Sequence, residues 1–245
     1  MARTIVITGA GAGLGRALAR RFAADGETVV LLGRTLAKVQ QVAEELGAPA
    51  LAVECDVASP DSVCAAFAEI AQSFPTIDVL INNAAIYEPF LIADASDAQI
   101  LDPILTNFAG PIFCVRSAIP MMANDGHIIN VTSESVTLNF PMLSLYQSTK
   151  AALERFGQSL VGELTEAGIR VTTVRAGQMA DDDKQANTWP PEAAMAFFQS
   201  CLKAGIDLRS RPISHVNSVT DAFRAVIDLP ADVHLPVVVI EARHR

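Results

Sequence analysis

The chain has 245 residues, 51% of them hydrophobic and 18% charged, and its 27 acidic against 18 basic side chains give a net charge of −9. Disordered chains are poor in apolar residues, so that class is excluded, and a length near 250 suits one large α/β domain as readily as two small ones. The negative balance makes nucleic acids and anionic membranes poor partners, because binding them needs cations that displace phosphate counterions. The opening MARTIVITGA runs straight into a strand pattern without the apolar core of a signal peptide, and no unbroken apolar run approaches the roughly 20 residues of a membrane span. Cys55, Cys64, Cys114 and Cys201 form no CxxC pair and read as small hydrophobes of a reducing compartment. His127, His215, His234 and His244 share no metal-ligand spacing. A cytoplasmic protein without a metal is the expectation.

Strand-like and helix-like patterns alternate from the start. Thr4–Thr8 precedes an apolar stripe at Leu14, Leu18 and Phe22 that stops at Asp25-Gly26. Thr28–Leu32 leads into Leu36, Val39, Ala43 and Leu46, ended by Gly47. Leu51–Cys55 is followed by Ser59-Pro60-Asp61, an N-cap with proline in the first helical position, and the stripe Val63, Phe67, Ile70, Phe74. Ile77–Ile81, Ile128–Val131, Ile169–Val174 and Pro236–Ile240 supply four more strands. These runs are continuous in apolar residues rather than alternating, as strands covered on both faces are. The pattern predicts a single Rossmann-type domain over residues 1–245, a doubly wound three-layer α/β sandwich with a parallel seven-stranded sheet. Only the stretch from Gly177 to about Ser218 breaks the rhythm. It lies past the carboxyl end of a strand, where a substrate cover over about 178–217 is expected.

The first strand ends in Thr8-Gly9-Ala10-Gly11-Ala12-Gly13-Leu14-Gly15, directly before a helix. Gly9 suits a tight turn, a bare Gly13 lets backbone approach a pyrophosphate, and Gly15 allows close helix packing. The helix N-terminus adds N–H donors and a positive dipole end. The second strand ends in Gly33-Arg34, and a guanidinium there favours the phosphorylated ribose of NADP(H) over NAD(H), which remains possible. Asp56 and Val57, after the third strand, are placed to meet the adenine.

Tyr146 and Lys150 lie four residues apart on one face of a predicted helix, where a neighbouring ammonium is expected to lower the phenol pKa. With the glycine turn, with Asn82-Asn83-Ala84-Ala85 after the fourth strand, with Asn107 and with Ser133, this ordered set resembles the short-chain dehydrogenase/reductase family. The resemblance spans residue 4 to about 180. It implies hydride transfer between NADP(H) and a carbonyl or alcohol substrate. Tyr146 would be general acid or base, Ser133 would hold the substrate oxygen, Lys150 would bind the nicotinamide ribose, and Asn107 would hold a water. It further implies cofactor contacts from Gly9, Gly11, Gly13, Leu14, Gly15, Asn83, Ala84, Gly177 and Met179, and a homodimer or homotetramer. Pro111, four residues after Asn107, has no N–H to give the Asn107 carbonyl, which leaves that oxygen available to a water. Phe140, Met142, Leu143, Met179 and Trp189 are candidates to line an apolar substrate pocket, bordered by Ile86 and Tyr87.

Two segments depart from the family pattern. Ala176 stands where proline usually precedes the glycine, and Asp181 falls where a threonine usually helps hold the cofactor. A carboxylate beside pyrophosphate is repulsive, so Asp181 is expected to point away, to sit in a displaced loop, or to weaken binding. That departure keeps a second reading open, a low-turnover NADP(H)-binding regulatory or sensor protein on the same fold.

Overall fold

A computed structural model describes residues 2–47, 49–183 and 189–243; His244 lies outside them. Strand β1 (Thr4–Thr8) leads into helix α1 (Gly13–Ala24), β2 (Thr28–Gly33) into α2 (Leu36–Leu46), and β3 (Ala50–Glu54) into α3 (Pro60–Ser73). β4 (Ile77–Asn82) precedes α4 (Asp97–Ile104) and α5 (Gly110–Ala118), and β5 (Met122–Ser133) precedes α6 (Ser144–Leu164). β6 (Arg170–Ala176), β7 (Met179–Ala180), α7 (Pro191–Lys203), β8 (Ser214–His215), α8 (Val216–Ile227) and β9 (Val237–Ile240) complete the described order.

Seven strands form one parallel sheet in the order β3-β2-β1-β4-β5-β6-β9. Ile5, Val6 and Ile7 are all fully buried because successive side chains enter opposite cores. Ile5 and Ile7 pack with Leu18, Phe22 and Phe223 beneath α1 and α8, and Val6 packs with Phe67, Ile70 and Leu160 beneath α3 and α6. The doubly wound sandwich read from the sequence is therefore present. Its strand order reverses between β1 and β4, and ligands of such sheets bind in the crevice at that point.

Local chemistry sets the helix starts. The Ser59 hydroxyl accepts from the Ser62 amide at 3.3 Å with Pro60 in the first turn, and Ser96 and Gln99 form a reciprocal capping box on α4. Between α4 and α5 the chain widens into a π-type turn, Leu105–Ala109, in which the Gly110 amide donates to the Leu105 carbonyl. Pro111 removes the donor an α-helical Asn107 carbonyl would have used, and the ladder widens at that point. The composite helix Asp97–Met121 is 25 residues long and apolar enough to cross a membrane by length and composition, contrary to the sequence reading. Asp102, Thr106 and Asn107 interrupt its apolar residues, so no unbroken run announces it. Its α5 portion packs on α3 and β4.

α1 and α8 lie side by side although some 200 residues separate them. Leu18 and Phe22 of α1 meet Val219 and Phe223 of α8 in one core, and Arg21 pairs with Asp221 at the rim. Arg224 donates to Glu27 at 2.8 Å, and Arg3 to Asp228 at 2.7 Å. Cys55, Cys114 and Cys201 are buried as expected, whereas Cys64 is exposed on α3.

Candidate active site

One continuous cleft runs along the carboxyl ends of β1 to β6. It is lined by every glycine-turn residue predicted, by Arg34, Asp56, Val57, Asn83 and Ala84 at one end, and by Ser133, Tyr146, Lys150, Gly177 and Met179 toward the other, with the single exception of Gly15. Gly15 acts from behind the surface. A Cβ there would stand 2.3 Å from the Gly9 carbonyl oxygen and 2.6 Å from Asn83 Nδ2, so the bare α-carbon is what lets α1 seat on the turn. Gly13 has φ +55° and no atom within 4 Å of where a Cβ would point, an open cradle in a conformation that favours glycine.

Thr8 and Asn83 fasten this turn to the next strand. Thr8 Oγ1 accepts from the amides of Asn83 and Ala84, each at 3.0 Å, and Asn83 Nδ2 donates to the Thr8 carbonyl at 3.0 Å. The Asn83 side chain is thus a brace for the turn. α1 begins at Ala12 without a side-chain cap and with no acid in its first turn. An uncapped N-terminus beside an open glycine cradle fits a pyrophosphate. At the adenosine end Arg34 is exposed, and Lys38, four residues on, lines the cleft with it. Lys38, in the first turn of α2, was missed in the sequence, although a second cation so soon after Arg34 was a usable signal. Asp56 holds the Ala58 amide with Oδ1 at 3.0 Å.

At the other end the sheet and α6 bring three groups together. Ser133 ends β5, and its hydroxyl accepts from the Ser135 amide at 3.2 Å. Tyr146 and Lys150 share one face of α6, with the Lys150 ammonium 6.0 Å from the Tyr146 ring centre. Burial pushes the Tyr146 phenol up to about 12, with Tyr87 and Glu134 adding to the rise and a hydrogen bond with Ser133 opposing it. The sequence expectation of a lowered phenol pKa is therefore reversed. Lys150 Nζ donates to the Val131 carbonyl at 2.8 Å, and burial draws its own pKa down to about 8.

Asn107 is fully buried at the π turn, with Oδ1 accepting from the Ile86 amide and Nδ2 donating to the Ile86 carbonyl, both at 2.8 Å. Nδ2 also reaches Thr149 Oγ1 at 3.2 Å. With its amide committed to structure, any hold Asn107 has on a water falls to its backbone carbonyl.

Phe140, Leu143, Met179, Trp189, Ile86 and Tyr87 line the cleft as expected. Met142 does not: its left-handed backbone, φ +63°, turns it into a satellite core against α7, where its sulfur accepts from Ser200 at 3.7 Å. Tyr87 stacks near Tyr146 at 5.4 Å and meets Trp189 edge-on at 5.1 Å. Arg211 was missed: it lines the cleft, pairs with Glu134 and lies 5.1 Å over the Phe140 ring.

Each carboxylate of the acidic run after β7 meets a basic side chain. Asp181 and Asp183 both reach Arg16 at 3.2 Å, Asp183 reaches Arg20 at 3.1 Å, and Asp182 lies 3.1 Å from His215. Asp181 is thus held on a guanidinium at the start of α1 and lines the cleft there.

Residues 3–191 match the family described as short chain dehydrogenase, and the chain belongs to the short-chain dehydrogenase/reductase family. Members of the family bind NAD(P)(H). The chain is 34% identical to mouse dehydrogenase/reductase SDR family member 7B over 71% of this chain and 56% of that protein, so it spans little more than half of that relative. An NADP-dependent 3-hydroxy acid dehydrogenase of Salmonella typhi is 30% identical over 96% of this chain and 92% of its own length. Among solved structures, the closed form of serine dehydrogenase complexed with NADP+ superposes with a TM-score of 0.84 at 26% identity, covering 97% of this chain and 94% of that one.

Proposed function

We propose that this protein is an NADP-preferring oxidoreductase that interconverts a ketone or aldehyde and an alcohol, with Tyr146 as general acid in reduction and general base in oxidation. The observation that carries the reading is one cleft with Ser133, Tyr146 and Lys150 at one end and the cations Arg34 and Lys38 at the other. Bound NADPH supplies the hydride. The glycine turn and the N-terminus of α1 hold the pyrophosphate, Arg34 and Lys38 hold the 2′-phosphate, and Lys150 holds the nicotinamide ribose. Ser133 steadies the substrate oxygen, and Tyr146 passes it a proton.

The NADP named for the Salmonella typhi relative and for the serine dehydrogenase complex supports the same preference, and a 3-hydroxy acid joins the substrates to try. Residues 178–217, of which 184–188 lie outside the described set, serve as the substrate cover. Assembly is as a homodimer or homotetramer, supported by the exposure of Leu91, Ile92 and Leu101 around α4. The test is NADPH oxidation at 340 nm across aldehydes and ketones. Tyr146→Phe should lower the rate by about 10²–10⁴-fold with NADPH binding and fold retained; a fully active variant refutes the role. The pairing of Arg16 with two carboxylates favours the sensor reading instead, which NADPH binding without turnover on any substrate would support.

A further inference from the structure

The substrate end of the cleft is aromatic on most sides but carries one built polar feature. Glu134 follows Ser133 directly, on the short 3-10 turn Glu134–Val136 that closes β5. Its Oε2 accepts from Arg211, whose guanidinium is seated on the Phe140 ring. Gln178 Oε1, shielded from solvent on the same cleft wall, has no hydrogen-bond partner among the described residues, and the Glu134 side chain is 19% exposed to the cleft. Glu134 Oε2 lies 3.6 Å from where a Cβ on Gly177 would stand, which places the carboxylate between the end of β6 and Ser133. Its negative charge is felt at the buried Tyr146 phenol.

The buried, unpartnered Gln178 Oε1 calls for a donor on the ligand, since a buried acceptor without a partner is unfavourable, and the partly exposed Glu134 carboxylate next to Ser133 offers a second acceptor to that donor. Arg211 balances the charge of the carboxylate and fixes it, so a neutral hydroxyl or amine donor can enter without leaving a buried charge unpaired. A carboxylate on the substrate would instead face Glu134 at close range. Resting on the oxidoreductase reading above, we infer that Glu134, oriented by Arg211, is a specificity-determining residue that selects substrates bearing a hydroxyl or amino group on the carbon next to the reacting one, that is, α-hydroxy- or α-amino-carbonyl compounds and their alcohols.

Trp189 is the only tryptophan in the sequence and packs edge-on against Tyr87 and Phe197 in this cleft, so its fluorescence reports ligand binding without requiring turnover. The experiment titrates four alcohols that share a reacting carbon and a phenyl ring: 1-phenylethanol, 1-phenyl-1,2-ethanediol, 2-amino-1-phenylethanol and mandelate. Each is titrated with NADP+ present and absent. The diol and the amino alcohol should bind at least tenfold more tightly than 1-phenylethanol, with mandelate weakest. Glu134→Gln should bring all four within threefold of one another, and Arg211→Met, which removes the group that orients the carboxylate, should reduce the preference for the diol and the amino alcohol below tenfold. Binding that ignores the substituent, Glu134→Gln weakening all four equally, or no binding at all overturns the inference. Selective binding without any hydride transfer leaves the inference standing and refutes the catalytic reading.

Discussion

The Lys150 ammonium donates to the Val131 carbonyl at 2.8 Å, a bond from the middle of α6 to the strand just before Ser133. It ties the position of Tyr146 to that of the serine. Because Lys150 is buried with a pKa near 8, against about 10.4 in an unfolded chain, folding excludes its proton between those values. The unfolded state then binds more protons, so this group makes stability rise from pH 8 to about 10.4. Tyr146 acts oppositely, since its raised pKa makes stability fall from about pH 10 to 12. Urea unfolding at pH 7.5 and 10 should show wild type gaining up to roughly 3 kcal/mol relative to Lys150→Met. A pH-independent difference between the two proteins contradicts the burial argument.

Arg34 and Lys38 are expected to set nucleotide choice together. Each sits exposed at the adenosine end of the cleft. Arg34→Ala with Lys38→Ala should lower the ratio of NADPH to NADH affinity by about 10²-fold, about 3 kcal/mol for two charge-assisted phosphate contacts, while NADH binding stays within threefold. Nucleotide fluorescence titration measures both.

Asp181 holds Arg16 at 3.2 Å, at the helix end where a pyrophosphate would lie. Asp181→Thr removes one of the two carboxylates on Arg16, leaving Asp183 at 3.2 Å, and so lowers the like charge that the anion meets. NADPH affinity should rise several-fold, with the gain shrinking as salt is raised. Unchanged or weaker binding would mean that the pair organises the site more than it opposes the nucleotide.

Gly15→Ala would drive a methyl to 2.3 Å from the Gly9 carbonyl oxygen, a backbone atom that cannot swing aside. The expected outcome is a loss of about 3 kcal/mol or more in urea unfolding and loss of nucleotide binding together. Gly26→Ala, with open space about it but φ +83°, should lower stability by about 1 kcal/mol and leave binding intact.

The sheet was legible because Ile5–Ile7, Val29–Leu32 and Val79–Ile81 are apolar on both faces, a pattern that a twice-covered parallel strand demands. The start of β5 was less so: Asp125-Gly126 reads as a turn, and Asp125 indeed has φ +72°, yet the strand extends back to Met122. β7 and β8 are two residues each, too short for any periodicity. Tyr146 and Lys150 stood out by their spacing on one helix face, and Ser133 only through the family resemblance. Arg211 was not, because it meets Glu134 across 77 residues through an irregular segment. The sign of the Tyr146 shift was also hidden, since it depends on how deeply the phenol and ammonium are buried.

The pairing of α1 with α8 bears on how the chain is made. Leu18 and Phe22 are synthesised some 200 residues before Val219 and Phe223, the side chains that share their core. Until residues 216–227 have left the ribosome, that face of the first helix has no native cover from α8, and contacts of such long separation form slowly. The nascent chain must therefore carry an apolar flank through most of its translation, a substrate for holding chaperones, and Arg21 and Arg224 close over it only at the end.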